Sequence, residues 1–350
     1  MSVLREKVVC IIIALMLGGI LSFLNVPAGW LMGGLLTGIG YGLFIKRLAF
    51  EGWPFRIVLA VVGVNIGFMM QTELFQLISQ YFIPLLLSLT FTLAAGVGIG
   101  WLMNHWTNLD PLTAYFCCVP GGASEVIALS GDYGADNRVV AAFHTARITF
   151  FVLTIPFLAG FFYPDELQGR TSGFSLEEIE LSVLAGLLAA ILITIFLFRL
   201  WKVPAGTLFY GIFTGFIISE WVLTGTTVLP SYVGGIGQAL IGVMVGIRFD
   251  RPTFLKLKDI GKPSAVLLGI YFLFSLTLAA LFEWMTGLPY MTSLLSTVPA
   301  GAAEMSSTAM ALHLEPTLVA SLHIIRVVAL FLFLPFFINI LKRAAERHGN

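Results

Sequence analysis

Charge is what this chain has least of. Asp, Glu, Lys and Arg make up 11% of its 350 residues, against 58% hydrophobic residues, whereas a soluble domain carries about 25% charged residues. So few charges could not cover the surface of a soluble fold. A bilayer removes that requirement, and apolar runs of the ~18 or more residues that a spanning helix needs recur throughout. Long polar stretches are missing as well. The longest runs about 17 residues, too short for a helix-turn-helix with its supporting helix. With a net charge of zero, nucleic acid is excluded as a partner. Cysteine is scarce: Cys10, Cys117 and Cys118 all lie in apolar runs, form no CxxC, and read as small buried hydrophobes. No P-loop, GxGxxG, HExxH or GxSxG occurs, and the five histidines are scattered. The expectation is a protein that is not an enzyme and holds no metal or cofactor. Met1–Lys7 followed by Val8–Leu24 imitates a signal peptide. No A-x-A-like cleavage site follows and a second apolar run starts at once, so this segment reads as the first span.

What is present is a duplication. Val26-Pro27-Ala28-Gly29 returns as Val203-Pro204-Ala205-Gly206. Val119-Pro120-Gly121-Gly122-Ala123-Ser124-Glu125 returns as Val298-Pro299-Ala300-Gly301-Ala302-Ala303-Glu304. At that second offset His144 matches His323, Arg147 matches Arg326 and Pro156 matches Pro335. Gly34 and Gly38 correspond to Gly211 and Gly215, and Gly63 and Gly67 to Gly242 and Gly246. All four pairs have the GxxxG spacing that lets helix backbones approach closely in lipid, so close helix packing is their expected role.

The fold class that follows is an all-α polytopic membrane protein of two repeats, residues 1–163 and 181–350, joined by an outside linker, 164–180. Each repeat shows five spans, near 8–24, 28–45, 57–71, 81–103 and 138–163, then 181–198, 205–219, 233–247, 264–285 and 317–341. Each also has an odd segment, 112–132 or 291–312, interrupted by Pro-Gly-Gly or Pro-Ala-Gly. If the odd segments are re-entrant, the basic residues between spans gather on one side, leaving only Arg170 on the other. If they cross, the loop from Arg248 to Lys262 falls outside with its five basic residues. The positive-inside rule favours the first arrangement. Five crossings per repeat then invert the second repeat relative to the first, an architecture that recurs in transporters with broken helices near the midplane.

Charges inside such a bundle cost ~2.5–3.5 kcal/mol each on insertion scales. Glu125, Arg147, Glu304 and Arg326 must therefore pair, face water or sit shallow. Glu125 and Glu304 fall in the first turn of any helix restarting after the glycines, where the dipole stabilises a carboxylate by ~0.3–1 kcal/mol. They read either as caps or as a proton or cation site built from both repeats. A carboxylate on the dipole argues against an anionic substrate at that point. His144 and Arg147, like His323 and Arg326, share a helix face. The arginine ties down the carboxylate or a carbonyl of the broken helix, or it serves substrate. Asn65 is a lone amide in a span, and its counterpart is Met244. Ser124, Cys117 and Cys118 line the first odd segment; Ser296, Thr297, Ser306, Ser307 and Thr308 line the second. The breaks themselves are Pro120, Gly121 and Gly122, and Pro299, Ala300 and Gly301.

Val26–Gly38 and above all Val119–Ile148, with GASEVIALSGDYGADNRVVAAFHTARI, resemble the AbrB-type membrane family, whose members carry a duplicated hydrophobic region. The likeness covers essentially the whole chain. The second repeat departs from it, with Pro-Ala-Gly for Pro-Gly-Gly and His313-Leu314-Glu315-Pro316 in place of Gly134-Ala135-Asp136-Asn137. Family members are labelled regulators of gene expression or ammonia monooxygenases. The oxygenase label fits poorly, because metal-based oxidation needs clustered His or carboxylate ligands. The expected function is an ion-coupled secondary transporter of a small solute, with a membrane-embedded indirect regulator or sensor as the alternative. The expected location is the plasma (inner) membrane of a bacterium, multi-pass, with both termini cytoplasmic. Expected partners are membrane lipid and a solute moved with protons or sodium, and a homodimer stays open.

Overall fold

A computed structural model of the chain describes residues 3–45, 48, 50, 52–70, 72, 80–121, 123–162, 180–202, 206–223, 231–327 and 329; at 3, 4, 124, 125, 128 and 231 the description covers backbone alone. Among the described residues every regular element is helical. The expected linker 164–180 lies outside them except for Glu180. So do Gly122, Pro204 and Ala205, and Pro335.

The helices of the first repeat are α1 (Val3–Phe23), α2 (Gly29–Phe44), α3 (Trp53–Phe68), α4 (Phe82–Trp106), α5 (Pro111–Cys118), α6 (Ala123–Asp132) and α7 (Asn137–Phe162). The second repeat contributes α8 (Leu181–Leu200) and α9 (Gly206–Ile217), which runs on into a π-helical turn at Ile218–Val222. After these come α10 (Ser231–Gly246), α11 (Arg251–Ile260), α12 (Lys262–Thr286), α13 (Tyr290–Thr297) and α14 (Ala302–Ala311). The last described helix is α15 (Pro316–Val327). The expected spans coincide with these helices to within a few residues, except that 317–341 lies outside the described residues beyond 329, because long apolar runs leave the backbone no other way to satisfy its polar groups in lipid.

Five helices among the described residues are long and apolar enough to cross a membrane: Arg5–Phe23 of α1, and α4, α7, α8 and α12. They carry exposed apolar side chains such as Met16, Ile83, Phe161, Leu192 and Trp284, as helices bathed in lipid do. The 16-residue α2, α3 and α10 reach only about 24 Å at 1.5 Å per residue. They sit inside, with Leu31, Leu35, Val62, Ile66, Ala239 and Val243 buried.

These inner helices pair across the repeats. α2 packs on α10 and α3 packs on α9. Glycine makes both crossings possible. A Cβ on Gly34 would strike the Ala239 carbonyl, and one on Gly242 the Leu31 carbonyl. A Cβ on Gly67 would strike the Ile212 carbonyl, and one on Gly215 would come within 2.5 Å of the Val64 carbonyl. Each GxxxG pair therefore faces the GxxxG pair of the other half, backbone against backbone, as the motif allows. The other contacts come in matched pairs too: α1 on α2 and α8 on α9; α1 on α10 and α8 on α3; α4 on α5 and α12 on α13.

After α10 the chain bends by 53° into α11. Asp250 caps α11, its Oδ1 accepting from the Thr253 N–H at 3.0 Å. No residue of α11 is buried.

Candidate functional site

Each odd segment is a pair of short helices interrupted at its proline. α5 opens on Asp110, whose carboxylate accepts from the Thr113 N–H at 2.9 Å, with Pro111 at the position where a missing N–H costs nothing. It stops at Val119 because the following proline drives that residue out of the helical region; Val119 has φ −61° and ψ 128°. α13 stops the same way at Val298, with φ −60° and ψ 138°. α6 and α14 then restart at Ala123 and Ala302.

The first hairpin doubles back on itself. The Asp136 N–H donates to Thr113 Oγ1 at 2.8 Å, so the chain leaving α6 meets the first turn of α5. A continuous helix over 112–132 would hold its ends about 30 Å apart at 1.5 Å per residue. From there α7 climbs beside α5. His144 Nε2 donates to the Phe116 carbonyl at 2.9 Å. In the second repeat α15 climbs beside α13, and His323 Nε2 donates to the Leu295 carbonyl at 2.7 Å. Because each Nε2 carries the proton given to a carbonyl, each Nδ1 accepts. Arg147 Nη2 donates to His144 Nδ1 at 3.1 Å, and Arg326 Nη2 to His323 Nδ1 at 2.7 Å. The four side chains are buried. Both histidines orient arginines rather than lie open as proton relays.

The arginines then differ. Arg326 Nη1 donates to the carbonyls of Thr297 at 3.1 Å and Val298 at 2.8 Å, and Nη2 to that of Ala300 at 3.1 Å. It closes the break left by Pro299, holding carbonyls that no helix partner can reach. In the first repeat the equivalent carbonyl, that of Cys118, accepts instead from the Tyr271 hydroxyl on α12, at 3.0 Å. Arg147 lies over the Tyr271 ring, 5.4 Å from its centroid, and its Nε and Nη1 have no hydrogen-bond partner among the described residues. Sequence reasoning missed Tyr271. Its counterpart at the repeat offset is Thr92, and one tyrosine in an apolar helix carries no signal of its own.

Glu304 is buried in the first turn of α14. Its carboxylate folds back over Gly301, in the space a Cβ there would need. Pairing with Arg326, one of the ways an intramembrane glutamate could be stabilised, is not what forms; Arg326 is committed to carbonyls and to His323. The side chains of Ser124 and Glu125 lie outside the described residues. Asn65 is buried on α3 and reaches across to the second hairpin, its Nδ2 3.6 Å from Met310 Sδ. Ser296, Thr297, Ser306 and Thr308 each donate to a carbonyl one turn back on their own helix. Ser307 is buried with no partner for its hydroxyl among the described residues. Cys117 and Cys118 are buried thiols, and Cys118 Sγ lies 3.7 Å from Met103 Sδ. No group of three or more His, Cys, Asp or Glu side chains among the described residues could hold a metal ion.

A family model described as "Transition state regulatory protein AbrB" matches residues 30–342. A protein of Escherichia coli (strain K12) named "Putative regulator AbrB" is 24% identical over 363 aligned positions, covering 100% of both chains. A protein of Bacillus subtilis (strain 168) named "Uncharacterized protein YhjN" is 24% identical over 367 positions, covering 95% of this chain and 91% of that one.

Proposed function

The chain belongs to the AbrB family, and from that premise we propose that it is an ion-coupled secondary transporter of a small solute, built from two inverted repeats. The observation that carries this reading is the first hairpin, which returns to its own starting level beside the buried His144–Arg147 pair. Lipid-exposed backbone cannot be left unpaired. A doubly interrupted bundle is tolerated only where the breaks are enclosed in protein or line a cavity, and transporters use such breaks as binding sites. The matched helix contacts of the two halves and the recurrence of the His–Arg pair support the inverted repeat. The gathering of basic residues on one side supports cytoplasmic termini in a bacterial inner membrane. Glu304, with Glu125 as its sequence counterpart, is the proposed proton or sodium site.

The test is uptake into proteoliposomes under an imposed proton or sodium gradient, across a panel of small organic acids, amines and sugars. Gradient-driven uptake that disappears in Glu304→Gln, with the folded protein present at normal yield, is the expected result. The name of the Escherichia coli relative favours a second reading, a membrane-embedded regulator that acts indirectly. Absence of any gradient-driven uptake, together with altered transcript levels on deletion of the gene, would move the assignment there.

A further inference from the structure

Arg147 has no structural task that matches its cost. Its twin Arg326 satisfies three carbonyls. Arg147 is 1% exposed, and only its Nη2 is engaged, by His144. Buried donors without partners are costly, and more so on a charged group. The carbonyl at the equivalent position has been taken over by Tyr271, which releases the guanidinium from the break. The guanidinium lies over the Tyr271 ring, 5.4 Å from its centroid, with Nε and Nη1 buried and unpaired among the described residues, donors of the kind with which arginine recognises a planar oxyanion. Arg326 and Arg147 are also near enough to act on each other as like charges.

We propose that Arg147, lying over the Tyr271 ring beside the break of the first hairpin, is the anchor for the carboxylate of a small organic anion. The inference rests on the transporter reading and names the solute class for it. Tyr271 belongs to a buried apolar cluster with Phe116, Val119 and Phe143, so the rest of the ligand is organic. One guanidinium with two unfilled donor atoms suits a single carboxylate group better than a phosphate dianion, which presents more acceptors than the described donors can meet. The site does not coincide with the helix start that carries Glu304, so the capping carboxylate there does not compete with it.

The experiment is thermal unfolding of the purified full-length protein in detergent. The probes are acetate, succinate, glutamate and citrate, each beside its neutral amide, with 1,4-diaminobutane and inorganic phosphate as further arms. At least one carboxylate should raise the melting temperature by several degrees, as a ligand that binds only the folded state does, while its amide, the diamine and phosphate do not. Arg147→Met should abolish that shift, and Arg147→Lys should keep part of it. Without ligand, Arg147→Met should melt no lower than the parent, because an under-satisfied buried cation is replaced by an apolar side chain of similar length. Arg326→Met should melt clearly lower. The proposal is overturned if no carboxylate shifts the protein, if phosphate or the diamine does so instead, or if the shift survives in Arg147→Met. It is also overturned if Arg147→Met destabilises the ligand-free protein as much as Arg326→Met, since the guanidinium would then already be paired. Binding without uptake in proteoliposomes would retire the transporter reading and leave this site standing.

Discussion

At the scale of single residues, the two repeats solve one problem in two ways. A proline-induced break leaves carbonyls without helical partners, and each must be met inside a low-dielectric bundle. Arg326 meets three of them with one side chain; the first repeat borrows the Tyr271 hydroxyl from the other half. Tyr271→Phe should therefore cost about 1–3 kcal/mol, the penalty for a buried group left unsatisfied. Equilibrium or thermal unfolding in detergent measures it. Relocation of Arg147 onto the freed Cys118 carbonyl would reduce that loss, and an unchanged stability would show that the hydroxyl does not hold the break. The sequence marked His144, Arg147, His323 and Arg326 as a matched set, because sparse polar residues in apolar sequence stand out. It did not reveal what each arginine holds. Partners that are backbone carbonyls leave no trace in side-chain identity.

At the scale of helices, glycine decides which elements touch. Gly242 meets the Leu31 carbonyl where α10 crosses α2, whereas a Cβ at Gly269, on the more exposed α12, meets nothing within 4 Å. Gly242→Leu should push the two backbones apart and reduce folded yield and stability by several kcal/mol, the scale of severe overpacking. Gly269→Ala should be neutral or stabilising by about 0.5–1 kcal/mol, the helix-propensity gain over glycine. Comparing the two by size-exclusion profile and melting temperature checks the assignment; equal tolerance at both positions would remove the glycine interlock from the account. The GxxxG spacing was legible in the sequence as close packing, but the partner was not. Four equivalent motifs can be paired in several ways, and only the packed structure matches α2 with α10 and α3 with α9.

At the scale of the whole molecule, orientation follows from charge. The Arg251–Ile260 helix, with Arg251, Lys256 and Lys258, is expected on the cytoplasmic face, and Glu180 at the start of α8 on the other. With the native cysteines replaced, Lys256→Cys should react with an impermeant maleimide only from the inside and Glu180→Cys only from the outside, in right-side-out and inverted vesicles. Reversed sides, Lys256→Cys reacting from the outside and Glu180→Cys from the inside, would refute that arrangement.

The sequence by itself determined that this is a helical membrane protein, where most of its described helices begin and end to within a few residues, and that its motifs recur in two halves. Those properties depend on local hydropathy, on proline and glycine punctuation and on recurrence, all of which are written along one dimension. The basic residues between spans favour a returning first odd segment, but the contact through which a helix pair of 8 and 10 residues folds back on itself came only from the tertiary structure. The Asp136–Thr113 hydrogen bond settles that geometry. Only the tertiary structure separated the two arginines as well. The residue that distinguishes them, Tyr271, lies 124 positions from one and 55 from the other, and its choice of carbonyl depends on how the halves interlock.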